Sequence, residues 1–279
     1  MQHQAMPIIT ITSDIGEQDY LVGAVKGKLL QIDSTFNLID ISHHLPPFNY
    51  PQAAYVCRNA IKHFPKHSFH IILNSLFDTK AEQLLLAYHK EQYIACADNG
   101  LITMILEEKP EQIIGLPISK KQKKDALYYA ALMGKAIQKI CNGVALDKIG
   151  NIDIIFAEKN PLKPLLNKEW IEGQIIFIDH FENVIVNITQ DVFEKQRKGR
   201  PFSIVFTRNE VINALSETYA TVEEGEKLAL FNAAGYLEIA INKGNAAGLF
   251  GLKGYSEIQA QNQYLQNQLF YQTVKIYFG

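Results

Sequence analysis

The stretch PIITITSDIGEQDYLVGAVKGKLLQI, residues 7–32, decides how the first half of the chain folds. Pro7 to Ile11 is a short apolar run rich in β-branched residues, which favours an extended strand. TSDIGEQD (12–19) then supplies turn and cap chemistry, and from Tyr20 to Ile32 the apolar residues Leu21, Val25, Leu29 and Ile32 recur at helical spacing. The reading is strand, loop, helix. Working outward, Asn37 to Ile41, Phe69 to Leu73 and Tyr93 to Ala97 are further strand candidates. Gln52 to His63, Lys80 to His89 and Asp125 to Cys141 are expected to be helical. Such alternation predicts an α/β N-terminal domain with a largely parallel, helix-covered sheet.

FAEKNPLKPLLNK (156–168) carries two prolines and several charges, and the texture changes beyond it. EGQIIFIDHFENVIVNI (172–188), FSIVFT (202–207), KLALFNAAGYLEIAI (227–241) and LFYQTVKIYF (269–278) are strand-like runs broken by Gly, Asn and Asp turns, with few convincing helices. An all-β, barrel-like C-terminal domain is expected. The expected boundaries are 1–160 for the first domain, 161–168 for the linker and 169–279 for the second.

Length and composition narrow the class. A chain of 279 residues with 47% hydrophobic content exceeds the usual size of one core, which favours two domains. A formal net charge of -2 and the lack of any dense basic stripe argue against nucleic-acid binding. Cys57, Cys96 and Cys141 are widely spaced and odd in number, so they read as core residues rather than a disulfide framework or zinc knuckle. No stretch has the uninterrupted apolar length of a membrane span, and the N-terminus lacks a secretory pattern, so a soluble cytoplasmic protein is expected. His43 and His44 are adjacent rather than at ligand spacing, and no metal is expected.

In a parallel sheet, ligands bind outside the carboxyl ends of the strands. Asp14, Asp40 with His43, Asn74, and Asp98 with Asn99 all follow apolar runs and fall at such ends. A carboxylate there can accept hydrogen bonds from both hydroxyls of a ribose, which gives Asp14 a nucleoside reading beside the plainer one of a helix cap. No phosphate-gripping glycine loop is present, so a nucleoside ligand need not carry phosphates.

TSDIGEQDYLVGAVKG, IDISHHLPPFNYPQAAYV, ADNGLI, IDHFENVIVNI and NAAGYLEIAINKGNAA, in this order from about Ile8 to Glu257, resemble the S-adenosylmethionine hydroxide adenosyltransferases, relatives of the S-adenosylmethionine-dependent chlorinases and fluorinases. The resemblance implies a homotrimer whose pockets lie between one subunit's N-terminal domain and a neighbour's C-terminal domain. S-adenosylmethionine would be substrate or ligand, and no other cofactor is implied. Asp14 would hold the ribose diol and Phe48 would pack on the adenosyl group. Asp179, Phe181 and Asn183 would contact the methionine amine and the adenine. The segment from Asn232 and Ala233 to Lys243 would close the pocket. For each, a purely structural role is the alternative.

The family orients its attacking water with an Asp-Arg-His set, and here the sequence departs from it. Asn74 stands for the Asp, Gln122 for the His, and no arginine lies between Ser75 and Ala87. An amide is not a proton acceptor as a carboxylate is, and glutamine does not titrate near neutrality. Three readings stay open: a hydrolase with a rearranged set built on Asp78 or Lys80, a non-catalytic binder acting as sensor or sequestering subunit, and a different reaction on an adenosyl substrate.

Overall fold

The computed structural model describes residues 6–80, 82–207, 210–252 and 272–279. The chain divides into two compact units, Met1–Pro161 and Leu162–Gly279.

The first unit carries one six-stranded sheet. Its strands are β1 (Ile8–Ser13), β2 (Asn37–Ser42), β3 (Phe69–Leu73), β4 (Gln83–His89), β5 (Gln92–Ala97) and β6 (Gln112–Pro117), in the order β2-β1-β3-β5-β4-β6. The β2, β1, β3 and β5 strands run parallel, while β4 is antiparallel to both β5 and β6. On one face lie α1 (Leu21–Ile32) and α4 (Ala126–Cys141), with Val25, Leu29 and Met133 packed on Ile9, Ile71 and Leu84. On the other lie α2 (Tyr50–Ile61) and α3 (Leu101–Leu106), where Ala53, Cys57 and Ile102 meet Ile72, Leu85 and Cys96. Successive strand residues point to opposite faces, so a sheet covered twice needs unbroken apolar runs.

That rule explains a misread element. Lys80 to His89, expected to be helical, contains β4 instead. Leu84, Leu85, Leu86 and Ala87 are each 0% exposed, because helices cover both faces of this central strand. A short run with no polar alternation cannot be told from a buried helix by periodicity, and three leucines favour the helical reading. Elsewhere caps fix the helices as their sequences suggest: Asn49 Oδ1 accepts from Gln52 N at the start of α2, and Asp125 Oδ1 from Tyr128 N at the start of α4.

The second unit is an antiparallel, nearly closed barrel-like sheet. It is built from β7 (Leu165–Leu166), β8 (Trp170–Ile178), β9 (Val184–Thr189), β10 (Phe202–Phe206), β11 (Glu210–Ile212), β12 (Lys227–Phe231), β13 (Tyr236–Ile241) and β14 (Thr273–Phe278). The order is β11-β10-β14-β8-β9-β13-β12, with β7 paired to β8. The two edges approach each other: Ser216 N donates to Ala229 O, and Lys227 of β12 pairs with Glu210 of β11. Closure in this way protects edge strands. Around Phe193, which is fully buried, Phe202, Phe231 and Phe278 pack as an aromatic cluster. Phe193 belongs to α5 (Gln190–Arg197), a helix absent from the sequence expectation because Phe193 is its single buried residue and, apart from the half-buried Val192, the rest is polar. A further short helix, α6 (Ala246–Leu249), follows β13. Leu269 to Tyr271, expected in the last strand, lie outside the described residues.

Candidate functional site

Asp14 sits where β1 ends, among the carboxyl ends of the parallel strands. Its Oδ2 accepts Ser75 N at 2.7 Å and Asn74 Nδ2 at 3.3 Å, both from the loop after β3. The plain helix-cap reading does not describe it: α1 has no side-chain cap, and Asp19 Oδ1 accepts Leu21 N there instead. Burial pushes the Asp14 carboxyl above its ordinary value, against the lowering effect of the Ser75 N–H.

The β3 loop is itself held from two sides. Asn99, at the end of β5, donates its Nδ2 to Asn74 O at 3.1 Å and Ser75 O at 3.2 Å, while its Oδ1 accepts Leu101 N. Ser75 takes a left-handed φ of 49°, and its Oγ accepts Phe48 N at 3.0 Å. Asn74 is buried and its amide faces Asp14, so its Nδ2 is engaged in the cradle. Phe48 is exposed beside it at a φ of 60°. Asp78 N returns to Ser75 O at 3.2 Å, and Asp78 Oδ2 accepts Tyr50 Oη–H at 2.5 Å. Burial first, and then the Asp78 carboxylate, hold the Tyr50 phenol well above its ordinary range.

At the end of β2, His43 is buried between Ser13 Oγ, 2.7 Å from Nδ1, and Asp40 Oδ1, 3.0 Å from Nε2. Backbone bonds from Gly16 N to His43 O and from Leu45 N to Ser13 O zip the β1 and β2 loops together. The structure does not bring every named residue to this place. Lys80 is exposed and lines a separate cleft with Gln83, Asp98 and Asp153, and Gln122 is exposed in the turn before α4.

The second unit's named residues occupy two tight turns. Asp179 Oδ1 accepts Phe181 N at 2.9 Å and Asn183 N at 2.8 Å, its Oδ2 accepts Asn183 Nδ2 at 3.1 Å, and Glu182 takes a φ of 62° in the same turn. Phe181 is left 73% exposed. In the β12–β13 hairpin, Asn232 Oδ1 accepts Ala234 N and Tyr236 N, with Ala233 exposed at the tip. Lys243 is exposed and pairs with Glu224. Between the two turns lies Glu238, whose buried carboxylate accepts Tyr219 Oη–H at 2.6 Å. Burial raises its pKa, the Asp179 charge adds to this, and hydrogen bonds from Tyr219, Asn232 and Asn183 oppose it.

Tyr50, Ser75 and Glu238 were missed by sequence reasoning. A charge inside the apolar run LEIAI was an available signal for Glu238; Tyr50 and Ser75 offered none, since their roles rest on partners over 20 residues away.

An α/β unit with a polar strand-end site, followed in the chain by a β unit with polar turn motifs, defines the class. Residues 9–150 match the SAM hydroxide adenosyltransferase N-terminal domain and residues 173–259 its C-terminal domain, and the chain belongs to that family. It is 25% identical to an (R)-S-adenosyl-L-methionine hydrolase of Methanocaldococcus jannaschii, over 93% of this chain and 97% of that protein. It is 24% identical to a fluorinase of Nocardia brasiliensis, over 85% and 91%. A crystal structure of an uncharacterized conserved protein from Thermotoga maritima has the same fold, with a TM-score of 0.78 at 23% identity, covering 96% of this chain and 99% of that one. Among the described residues, no helix is long and apolar enough to cross a membrane.

Proposed function

We propose that this chain binds S-adenosylmethionine and hydrolyses it by attack of water at C5′, giving adenosine and methionine. The observation that carries the reading is the Asp14 cradle. A carboxylate has roughly four lone-pair directions, and the two donors from the β3 loop use only part of them while fixing its position. Such a pre-oriented acceptor suits a vicinal diol, because the cost of ordering it has been met by the fold. The relatives named for S-adenosylmethionine hydrolysis support the same substrate.

Further elements of the proposal follow the family resemblance. Phe48 packs against the adenosyl group, while Asp179, Phe181 and Asn183 with the Asn232, Ala233 and Lys243 segment serve the methionine and adenine ends. The working form is a cytoplasmic homotrimer with pockets shared between subunits. One observation favours the non-catalytic alternative: the Asn74 amide is buried with its Nδ2 on Asp14, and an amide does not take a proton from water as a carboxylate does.

Incubating purified protein with S-adenosylmethionine, following adenosine by chromatography and measuring binding by calorimetry, separates the two. Adenosine release above a protein-free control is expected; tight binding without release would leave a sensor or sequestering protein. Light scattering that finds a monomer competent to bind would remove the shared pocket.

A further inference from the structure

The Tyr50 phenol is a buried polar group that the proposed site does not yet use. It opens α2, and its hydroxyl donates to Asp78 Oδ2 at 2.5 Å. Among the described residues, the groups against it include Asp78 and Ser75 from the β3 loop, the more distant charge of Asp14, and a cation. That cation is Lys159, whose Nζ lies 4.0 Å from the centre of the Tyr50 ring. Lys159 reaches this place because its backbone clamps α3, with Thr103 Oγ1 donating to Lys159 O at 2.7 Å and accepting Lys159 N at 2.9 Å. Its stem crosses Gly100, where a Cβ would stand 2.5 Å from Lys159 Cγ; Gly100, at a φ of 88°, leaves the path open. Three distant segments thus converge on one ring.

Asp78 is tied to the ribose anchor through one turn. Ser75 gives its N–H to Asp14, and its carbonyl accepts Asp78 N. Asp78 Oδ2 is taken by Tyr50, and its Oδ1 carries no hydrogen bond among the described residues. An exposed carboxylate held by a buried phenol has one oxygen fixed and one available. The phenol is a poor base, since burial and Asp78 keep its proton on, so the acceptor of the pair is Asp78.

We propose that Asp78 is the proton acceptor for the attacking water, with Tyr50 and Lys159 as positioning residues that hold it. This rests on the hydrolase reading above and deepens it. The water oxygen bonds to C5′ as the C5′–S bond breaks. The electron pair goes to sulfur, which passes from sulfonium to the neutral thioether of methionine. One water proton goes to Asp78 and on to solvent, and the other stays on the new 5′-hydroxyl.

The test uses the full chain and reads kcat and adenosine affinity separately for Tyr50→Phe, Asp78→Asn, Lys159→Met and the Tyr50→Phe, Asp78→Asn pair. Tyr50→Phe keeps the ring under Lys159 and removes only the hydroxyl. About a hundred-fold loss of kcat is expected for Asp78→Asn, in the range of one general base, and about tenfold for Tyr50→Phe, with adenosine affinity within about threefold of wild type. The pair should be no slower than Asp78→Asn alone, because Tyr50 acts through Asp78. A wild type that turns over beside an equally fast Tyr50→Phe or Asp78→Asn overturns this proposal and leaves the hydrolase standing. Loss of adenosine affinity in step with kcat also overturns it, since the group would then only shape the loop. A wild type that binds without turnover overturns both.

Discussion

The two units build their polar sites in opposite ways. In the first, side chains find partners far along the chain: Asp14 with Asn74 and Ser75, Thr10 with His70, Ser13 with His43, Tyr50 with Asp78. In the second, the side-chain oxygens of Asp179 and Asn232 accept from groups no more than four residues away, and longer bonds to Glu238 and from Ala247 N to Glu182 O then tie these turns to the rest of the unit. Long-range partners exist only once the sheet is formed, whereas a local Asx-type turn forms wherever its residues stand together. The first site should therefore be lost with the sheet, whereas the bonds inside each turn of the second can fail one turn at a time.

The sharpest break in the comparison is expected at His70. Its Nδ1 lies 2.8 Å from Thr10 Oγ1 across the β1–β3 pair, and burial holds its pKa down to about 4. The unfolded chain takes up this proton near the ordinary value of 6.5, and the folded chain resists it. This contribution to stability is therefore full above about pH 6.5 and is lost as pH falls toward 4. The gap between the two values corresponds to roughly 3 kcal/mol. Denaturant melts at pH 7.5 and 4.5 should show His70→Gln losing much of that acid lability, and an unchanged pH gap would place it elsewhere.

Next in size is Asp14. Replacing it by Ala removes a charged acceptor and strands the Ser75 N–H, so adenosine and S-adenosylmethionine should both bind about 1.5 to 3 kcal/mol more weakly. Calorimetry with both ligands checks this, and equal affinity in wild type and variant would take Asp14 out of the site. Because burial raises its pKa, wild-type affinity should begin to fall with decreasing pH while an ordinary carboxylate is still ionised.

Asp179→Ala carries the smallest expected effect. It deletes three hydrogen bonds within one part-buried turn, and about 1 kcal/mol of stability is expected to go with them. Amide exchange should quicken from Phe181 to Asn183 while Asp14 and its partners keep their protection. A loss of protection in the β1 and β3 loops would contradict the separation of the two sites.

The sequence by itself determined what local physics decides. Helical spacing over Tyr20 to Ile32, β-branched runs at β1 and β3, and the Gly- and Asn-broken runs after Lys168 were enough for an α/β unit followed by a barrel-like β unit. The turns DHFEN and NAAG were legible for the same reason, since their donors and acceptors are neighbours in the chain. Only the tertiary structure decided the rest. Whether Leu84 to Ala87 form a strand depends on helices covering both faces, which no window of ten residues contains. Asp14 becomes a cradle rather than a cap because β3 delivers Ser75 and Asn74 beside it. Tyr50, which stands just before the helix expected from Gln52, meets Asp78 and Lys159 only after the sheet and the segment from Ile152 to Pro161 have set their places. A hydrogen bond between residues 60 apart leaves no periodic trace, because the geometry that makes it belongs to the sheet and not to either strand.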